Sequence, residues 1–160
     1  MGLAPMPYAI VIDDVPGFQE ALVEVVRQEG FAVDTAGTLA GARKLVAARP
    51  PDLALLDVSL PDGSGSDLLA ELADQPGIEV VLVTGHATVG SVIDALRRGA
   101  SDYLTKPVDL QRLKSVLVNV ARRRELSEEV ARLRDELRTF GRFGAMIGAS
   151  APMQRVYDQI

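Results

Sequence analysis

Tyr8-Ala9-Ile10-Val11-Ile12-Asp13-Asp14-Val15-Pro16-Gly17 is the stretch from which the fold can be read. Five apolar residues in a row, with no in/out alternation, read as a strand covered on both faces. The run ends at two adjacent carboxylates. Pro16-Gly17 then opens a helix, because the first helical position has no use for the N–H that proline lacks. Phe18, Ala21, Leu22, Val25 and Val26 follow at i, i+3, i+4, i+7 and i+8, an apolar stripe that stops at Gly30.

The same strand-then-helix unit recurs along the chain. Phe31 to Ala36 is a second strand, and Thr38 can cap a helix to about Ala48 before Pro50-Pro51 breaks it. Leu53-Ala54-Leu55-Leu56 runs to Asp57, and the loop Pro61-Asp62-Gly63-Ser64-Gly65 leads to a helix through Leu68, Leu69 and Leu72. Ile78 to Val83 ends at Thr84-Gly85, and Val89, Val92, Ile93 and Leu96 mark a fourth helix stopped by Gly99. Asp102-Tyr103-Leu104-Thr105 ends at Lys106-Pro107, after which Asp109 can cap a long last helix. Five such units predict an α/β fold: a doubly wound, five-stranded parallel sheet with right-handed crossovers.

Composition narrows the chemistry. The chain has 160 residues, 48% of them hydrophobic and 24% charged, enough for one domain with an appendage. No apolar stretch reaches the length of a bilayer span, and Met6 stands where a myristoylation signal wants Ser or Thr, so no membrane partner and a cytoplasmic location are expected. With no Cys and one His, thiolate metal sites, disulfides and most nucleophilic triads are excluded. A net charge of −5 argues against nucleic-acid binding by bulk electrostatics. Arg97-Arg98 and the run Arg122 to Arg124 read as helix-end charge and solvation.

The carboxyl ends of parallel strands line the crevice where such sheets bind ligands. Asp13, Asp14, Asp57, Thr84 and Lys106 all fall there, whereas the second strand ends in Ala36-Gly37, as suits an edge strand. Three crowded carboxylates need a cation, and all-oxygen ligation without His or Cys points to Mg²⁺. A lone carboxylate at a central strand end can attack phosphorus, which suits Asp57, while the Asp13/Asp14 pair suits the metal. Mg²⁺, the Lys106 ammonium, and the Thr84 hydroxyl with nearby N–H groups can then each cover one equatorial phosphoryl oxygen.

Ile12-Asp13-Asp14, Leu56-Asp57-Val58-Ser59-Leu60-Pro61-Asp62-Gly63, Val83-Thr84-Gly85 and Tyr103-Leu104-Thr105-Lys106-Pro107 together resemble the receiver domain of two-component response regulators, over roughly Tyr8 to Val120. The resemblance implies the flavodoxin-like strand order 2-1-3-4-5 and a phosphorylation switch acting on a signalling partner rather than an enzyme. Asp57 would accept a phosphoryl group from a sensor histidine kinase, with Mg²⁺ held by Asp13, Asp14 or both, by Asp57 and by the backbone carbonyl of Ser59. It further implies Thr84 as switch hydroxyl, Lys106 as phosphate counter-ion, Tyr103 as switch aromatic and a cis Lys106–Pro107 bond. His86 is expected at an exposed position tuning phosphoryl lifetime. Val15 departs from the family, which often has an acidic residue after the Asp pair.

The last helix continues past the domain. Leu110, Leu113, Leu117 and Val120 are expected to pack on the sheet. Leu126, Val130, Leu133, Leu137 and Phe140 repeat at four–three spacing one residue out of phase, which suits a coiled-coil seam to a partner helix and a homodimer. Glu128 and Arg132 are spaced for an i, i+4 pair. Thr84-Gly85-His86-Ala87, the long helix, and Met146 to Met153 resemble regulators of the NtrC type, in which a sigma-54-activating AAA+ ATPase and a DNA-binding domain follow. The organisation implied is a receiver over residues 1–121, a linker helix over 122–141, and a flexible linker with the start of a truncated ATPase domain over 142–160. No G-x-x-x-x-G-K-[ST] occurs, so nucleotide hydrolysis is not encoded in these residues.

Two rival readings are weaker. A haloacid-dehalogenase-type phosphatase also uses an Asp nucleophile and Mg²⁺, but wants an acid where Ser59 stands and a cap domain for which there is no room. A flavodoxin-like FMN binder wants a phosphate-cradling loop where Asp13 and Asp14 would repel the phosphate.

Overall fold

The structure is a computed structural model describing residues 6–146, with side chains through residue 139. Its elements are β1 (Tyr8–Ile12), α1 (Pro16–Gln28), β2 (Ala32–Ala36), α2 (Leu39–Ala48), β3 (Leu53–Asp57), β4 (Ser59–Leu60), β5 (Gly63–Ser64), α3 (Gly65–Ala73), β6 (Glu79–Thr84), α4 (Val89–Arg97), β7 (Asp102–Thr105) and α5 (Leu110–Met146). Five strands form one parallel sheet in the order β2-β1-β3-β6-β7. Counting only those five, this is the order 2-1-3-4-5, with β2 on an edge. β4 and β5 make a separate two-residue antiparallel ribbon where a plain loop was expected.

The strands are buried on both faces, which explains their unbroken apolar runs. Ile10, Ile12, Ala54, Leu56 and Leu82 pack with Leu39 and Val46 of α2, Leu68, Leu69 and Leu72 of α3, and Ala95 of α4. Alternate residues Ala9, Val11, Leu53, Leu55 and Val83 point to the other face. They pack with Leu22, Val25 and Val26 of α1 and with Leu113, Leu117 and Val120 of α5. Burying each such Leu contributes about 1.5–3 kcal/mol. Thr38 caps α2 by accepting the Gly41 N–H at 3.0 Å, and Asp109 caps α5 by accepting the Gln111 N–H at 2.9 Å.

Several sequence expectations are corrected. In α1, Ala21 is exposed and Val23 is half-buried in its place, because the stripe is centred on Leu22, Val25 and Val26. In α4 the buried contact is the small Ala95, with Val92 beside it, while Val89, Ile93 and Leu96 are exposed. Leu110 is also exposed: it starts α5 at the rim where β7 ends, before the helix reaches covering strand. The chain divides into two compact units after Arg122. Within the second unit Leu126, Val130, Leu133 and Leu137 are exposed, and Phe140 lies beyond the described side chains. Arg132 pairs with Glu129 and with Glu136 at 3.0 Å, and Glu128 pairs with Arg124 at 3.4 Å, in place of the expected Glu128–Arg132 bond. The stretch expected to begin a further domain, Gly148 to Ile160, lies outside the described residues. No helix among the described residues is long and apolar enough to cross a membrane.

Candidate functional site

The parallel register brings the strand ends to one rim. β1 and β3 are hydrogen-bonded neighbours with Ile12 beside Leu56, so Asp13 and Asp57 emerge side by side one residue further on. β6 and β7 follow, with Thr84 beside Thr105, which brings Thr84 and Lys106 to the same edge. Asp13, Asp57 and Thr84 are the only buried polar or charged residues among those described. They sit together in a hydrophobic domain, which is expensive unless their groups are satisfied.

Each is. Asp13 accepts the Val15 N–H at 2.8 Å through Oδ1 and the Lys106 ammonium at 3.0 Å through Oδ2. Asp57 accepts the Ser59 N–H at 3.1 Å through Oδ1 and the same ammonium at 3.1 Å through Oδ2. The Thr84 hydroxyl oxygen accepts the His86 N–H at 3.2 Å. Burial alone would lower the Lys106 pKa, but its two carboxylate partners outweigh that and hold the ammonium above its ordinary range. Asp13 is pushed above the usual carboxylate range, by burial first and by the Asp57 charge as well, against the opposing pull of the Val15 N–H and Lys106. One ammonium therefore does not offset two buried carboxylates.

Asp14 is exposed, yet one oxygen each of Asp13, Asp14 and Asp57 lie within 4.8 Å of one another. A three-carboxylate cluster short of positive charge fits a hard divalent cation better than a transition metal. Ser59 is exposed on the ribbon two residues beyond Asp57. His86 is exposed beside Thr84. Tyr103 is buried among residues that include Val80, Leu82 and Ala95, with its ring turned into the sheet face covered by α4. The Lys106–Pro107 bond is cis.

Four further residues shape the site and were missed in the sequence. The Phe18 ring lies under the Lys106 ammonium, 4.4 Å from the nitrogen. Gln19 donates to the backbone carbonyls of Asp13 at 3.0 Å and Ala36 at 3.3 Å, holding the β1–α1 turn. Their place in the first turn after the Asp pair was the available signal. Gly65 presses α3 against the acidic strand end, since a Cβ there would lie 2.3 Å from the Asp57 carbonyl oxygen. Asp62, at the ribbon tip, accepts the Leu39 N–H at 2.8 Å and the Ala40 N–H at 3.1 Å.

A five-stranded doubly wound sheet in the order 2-1-3-4-5, with three carboxylates, a hydroxyl and a lysine at the carboxyl rim, has the flavodoxin-like architecture, whose ligand sites lie at that edge. The chain belongs to the response regulator receiver domain family, whose profile matches residues 9–118. It is similar to the response regulator protein PilR of Pseudomonas aeruginosa, with 35% identity over 95% of this chain and 32% of that protein. It also resembles the TorCAD operon transcriptional regulatory protein TorR of Escherichia coli O157:H7, with 37% identity over 78% of this chain and 54% of that one. Among solved structures, a CheY-like receiver domain protein from Methanospirillum hungatei superposes with a TM-score of 0.71 at 26% identity, covering 77% of this chain and 99% of that one. NtrX from Brucella abortus in complex with ADP gives a TM-score of 0.69 at 30% identity, over 82% of this chain and 29% of that one. The chain thus spans about a third of the length of PilR.

Proposed function

We propose that Asp57 is the phosphoacceptor of this receiver and that a sensor histidine kinase is its phosphoryl donor. Asp57 attacks phosphorus: an Asp57 O–P bond forms, and the donor's P–N bond breaks, or the P–O bond of an acyl phosphate donor. Asp13, Asp14, Asp57 and the Ser59 carbonyl hold Mg²⁺, which when bound neutralises one phosphoryl oxygen. Lys106, already hydrogen-bonded to Asp57, stays with the developing phosphate as its counter-ion. Thr84 gives its hydroxyl to another oxygen, its lone pair being held by the His86 N–H. The Tyr103 ring responds to the inward movement of Thr84 and changes the surface made by α4, β7 and α5. His86, exposed beside Thr84, adjusts how fast water reaches the acyl phosphate.

The observation that carries this reading is the Lys106 ammonium bridging Asp13 and Asp57 inside a three-carboxylate cluster. The test is intact mass after incubation with acetyl phosphate and Mg²⁺. One phosphoryl adduct is expected on the wild type and none on Asp57→Asn. A wild type that stays unmodified sinks the proposal, and turnover of phosphate esters would favour a phosphatase.

The receiver serves transcription regulation in a longer protein, a reading supported by its similarity to the transcriptional regulatory protein TorR and to the alginate biosynthesis transcriptional regulatory protein AlgB of Pseudomonas putida, 32% identical over 81% of this chain. The NtrC-type resemblance and the ADP bound in NtrX, of which this chain matches 29%, support control of a sigma-54-activating ATPase. Residues 122–141 act as a linker helix, and its exposed seam Leu126, Val130, Leu133 and Leu137 joins two copies into a dimer.

A further inference from the structure

We propose that Asp62 is a positioning residue for the metal site. By clamping the β4–β5 ribbon to the start of α2, it holds the Ser59 carbonyl where Mg²⁺ needs it. This rests on the reading of Asp13, Asp14, Asp57 and Ser59 as the Mg²⁺ site.

The ribbon is only two residue pairs long, Ser59 with Ser64 and Leu60 with Gly63, too small to hold its own shape. Its base is fastened near Asp57: the Ser59 N–H goes to the Asp57 carboxylate and the Gly65 N–H to the Val58 carbonyl at 2.7 Å. Its tip has a different anchor. The first N–H groups of a helix lack partners within the helix and form its positive end. In α2, Thr38 serves Gly41 from within the chain's own cap, while Asp62 serves Leu39 and Ala40 from 23 and 22 residues away. These two N–H groups hold the Asp62 carboxyl below the usual carboxylate range, so it is charged at neutral pH. Gly63 adds the close approach such a clamp requires: a Cβ there would lie 2.9 Å from Leu39 Cδ1. Leu60 and Leu39 share one buried cluster beneath. A metal ligand on a ribbon free to swing would have to be ordered when the ion binds. Held in advance, that cost is already met.

The test compares wild type, Asp62→Ala and Asp62→Asn by calorimetric titration with Mg²⁺ alone, together with acetyl phosphate phosphorylation rates across Mg²⁺ concentration and thermal melting. Asp62→Ala is expected to weaken Mg²⁺ about tenfold, the low end for removing a ligand's supporting contact. Asp62→Asn, which keeps one acceptor oxygen, should recover part of that loss. The phosphorylation rate of Asp62→Ala should fall at low Mg²⁺ and return to the wild-type value at saturation. Wild-type Mg²⁺ affinity in Asp62→Ala, whether or not its melting point drops, overturns the inference and reduces Asp62 to a structural cap. A wild type that itself fails to bind Mg²⁺ overturns the metal site as a whole, so the two failures are distinguishable.

Discussion

The Lys106 ammonium lies 3.1 Å from the Asp57 carboxylate, joining residues 49 positions apart in the chain. The same nitrogen reaches Asp13 at 3.0 Å, so a single positive charge is divided between two buried negative ones. Phe18 closes the space beneath it. Lysine thereby occupies a double role: it makes the acidic pocket tolerable without metal, and it stands next to the atom that would carry the phosphoryl group.

The first role predicts competition. Lys106→Met should bind Mg²⁺ more tightly than wild type, because the dication no longer shares the carboxylates with an ammonium. A change of about 1 kcal/mol, the fully water-screened scale for two charges about 4 Å apart and so the low end here, is about fivefold in affinity. Phosphorylation by acetyl phosphate should slow despite the better metal binding. Equal or weaker Mg²⁺ binding by calorimetry would show that the ammonium does not compete.

Asp13 predicts a pH signature. Its native pKa is raised, so in the window from the unfolded value of about 3.9 up to the native value the folded state holds the proton more strongly. Without Mg²⁺, stability from this group therefore falls as pH rises through that window. Asp13→Asn should melt higher than wild type at neutral pH, by about 4 °C for each kcal/mol relieved. The difference should shrink as pH falls below the unfolded value of about 3.9, where Asp13 is protonated in both states. Melting curves from acid to neutral pH would refute this if the variant were less stable at pH 7. Added Mg²⁺ should raise the wild-type melting point and leave Asp13→Asn nearly unmoved.

Gly65→Ala should damage both stability and chemistry. The added Cβ would meet the Asp57 carbonyl oxygen at 2.3 Å and Val58 Cα at 3.1 Å, both backbone atoms that cannot rotate aside. Overpacking of this kind costs about 1–3 kcal/mol, and relieving it moves Asp57. Gly17→Ala, where nothing lies within 4 Å, is the matched control and should be neutral or slightly stabilising. Similar melting points and phosphorylation rates for the two variants would contradict the close approach.

The linker seam predicts a parallel dimer. With Val130 and Leu137 at heptad position a and Leu126 and Leu133 at d, the pattern favours two strands. Parallel alignment sets Glu129 at g opposite Arg134 at e of the second copy, whereas antiparallel alignment sets Glu129 near Glu136. Arg134 has no ion pair among the described residues. The chain has no Cys, so Leu126→Cys and Leu137→Cys can each be oxidised alone. Both should cross-link to themselves, and truncation at Arg124 should give a monomer by light scattering. A dimer with neither cross-link would reverse the orientation, and an unchanged mass after truncation would move the interface elsewhere.

The five strand-helix units were legible because burial on both sheet faces demands unbroken apolar runs, and helices covering a sheet demand period 3.6. Asp13, Asp57, Thr84 and Lys106 could be picked out because each directly follows such a run, and a parallel sheet sends all its strand ends to one edge. That much is local pattern plus topology. The contacts of Asp62 with Leu39 and of Gly65 with the Asp57 carbonyl have no such signal: an Asp and a Gly in a Pro-Asp-Gly-Ser-Gly stretch look like ordinary turn residues. Likewise the apolar stripe of α4 could not reveal that Ala95, rather than Val89, Ile93 or Leu96, meets the sheet. Periodicity states which residues share a helix face, but how far that face is rotated, and which backbone comes within hydrogen-bonding reach, depends on packing between segments distant in the chain. The chemistry at the rim was therefore written in the order of the residues, while the clamps that hold it in place arose only when the elements were brought together.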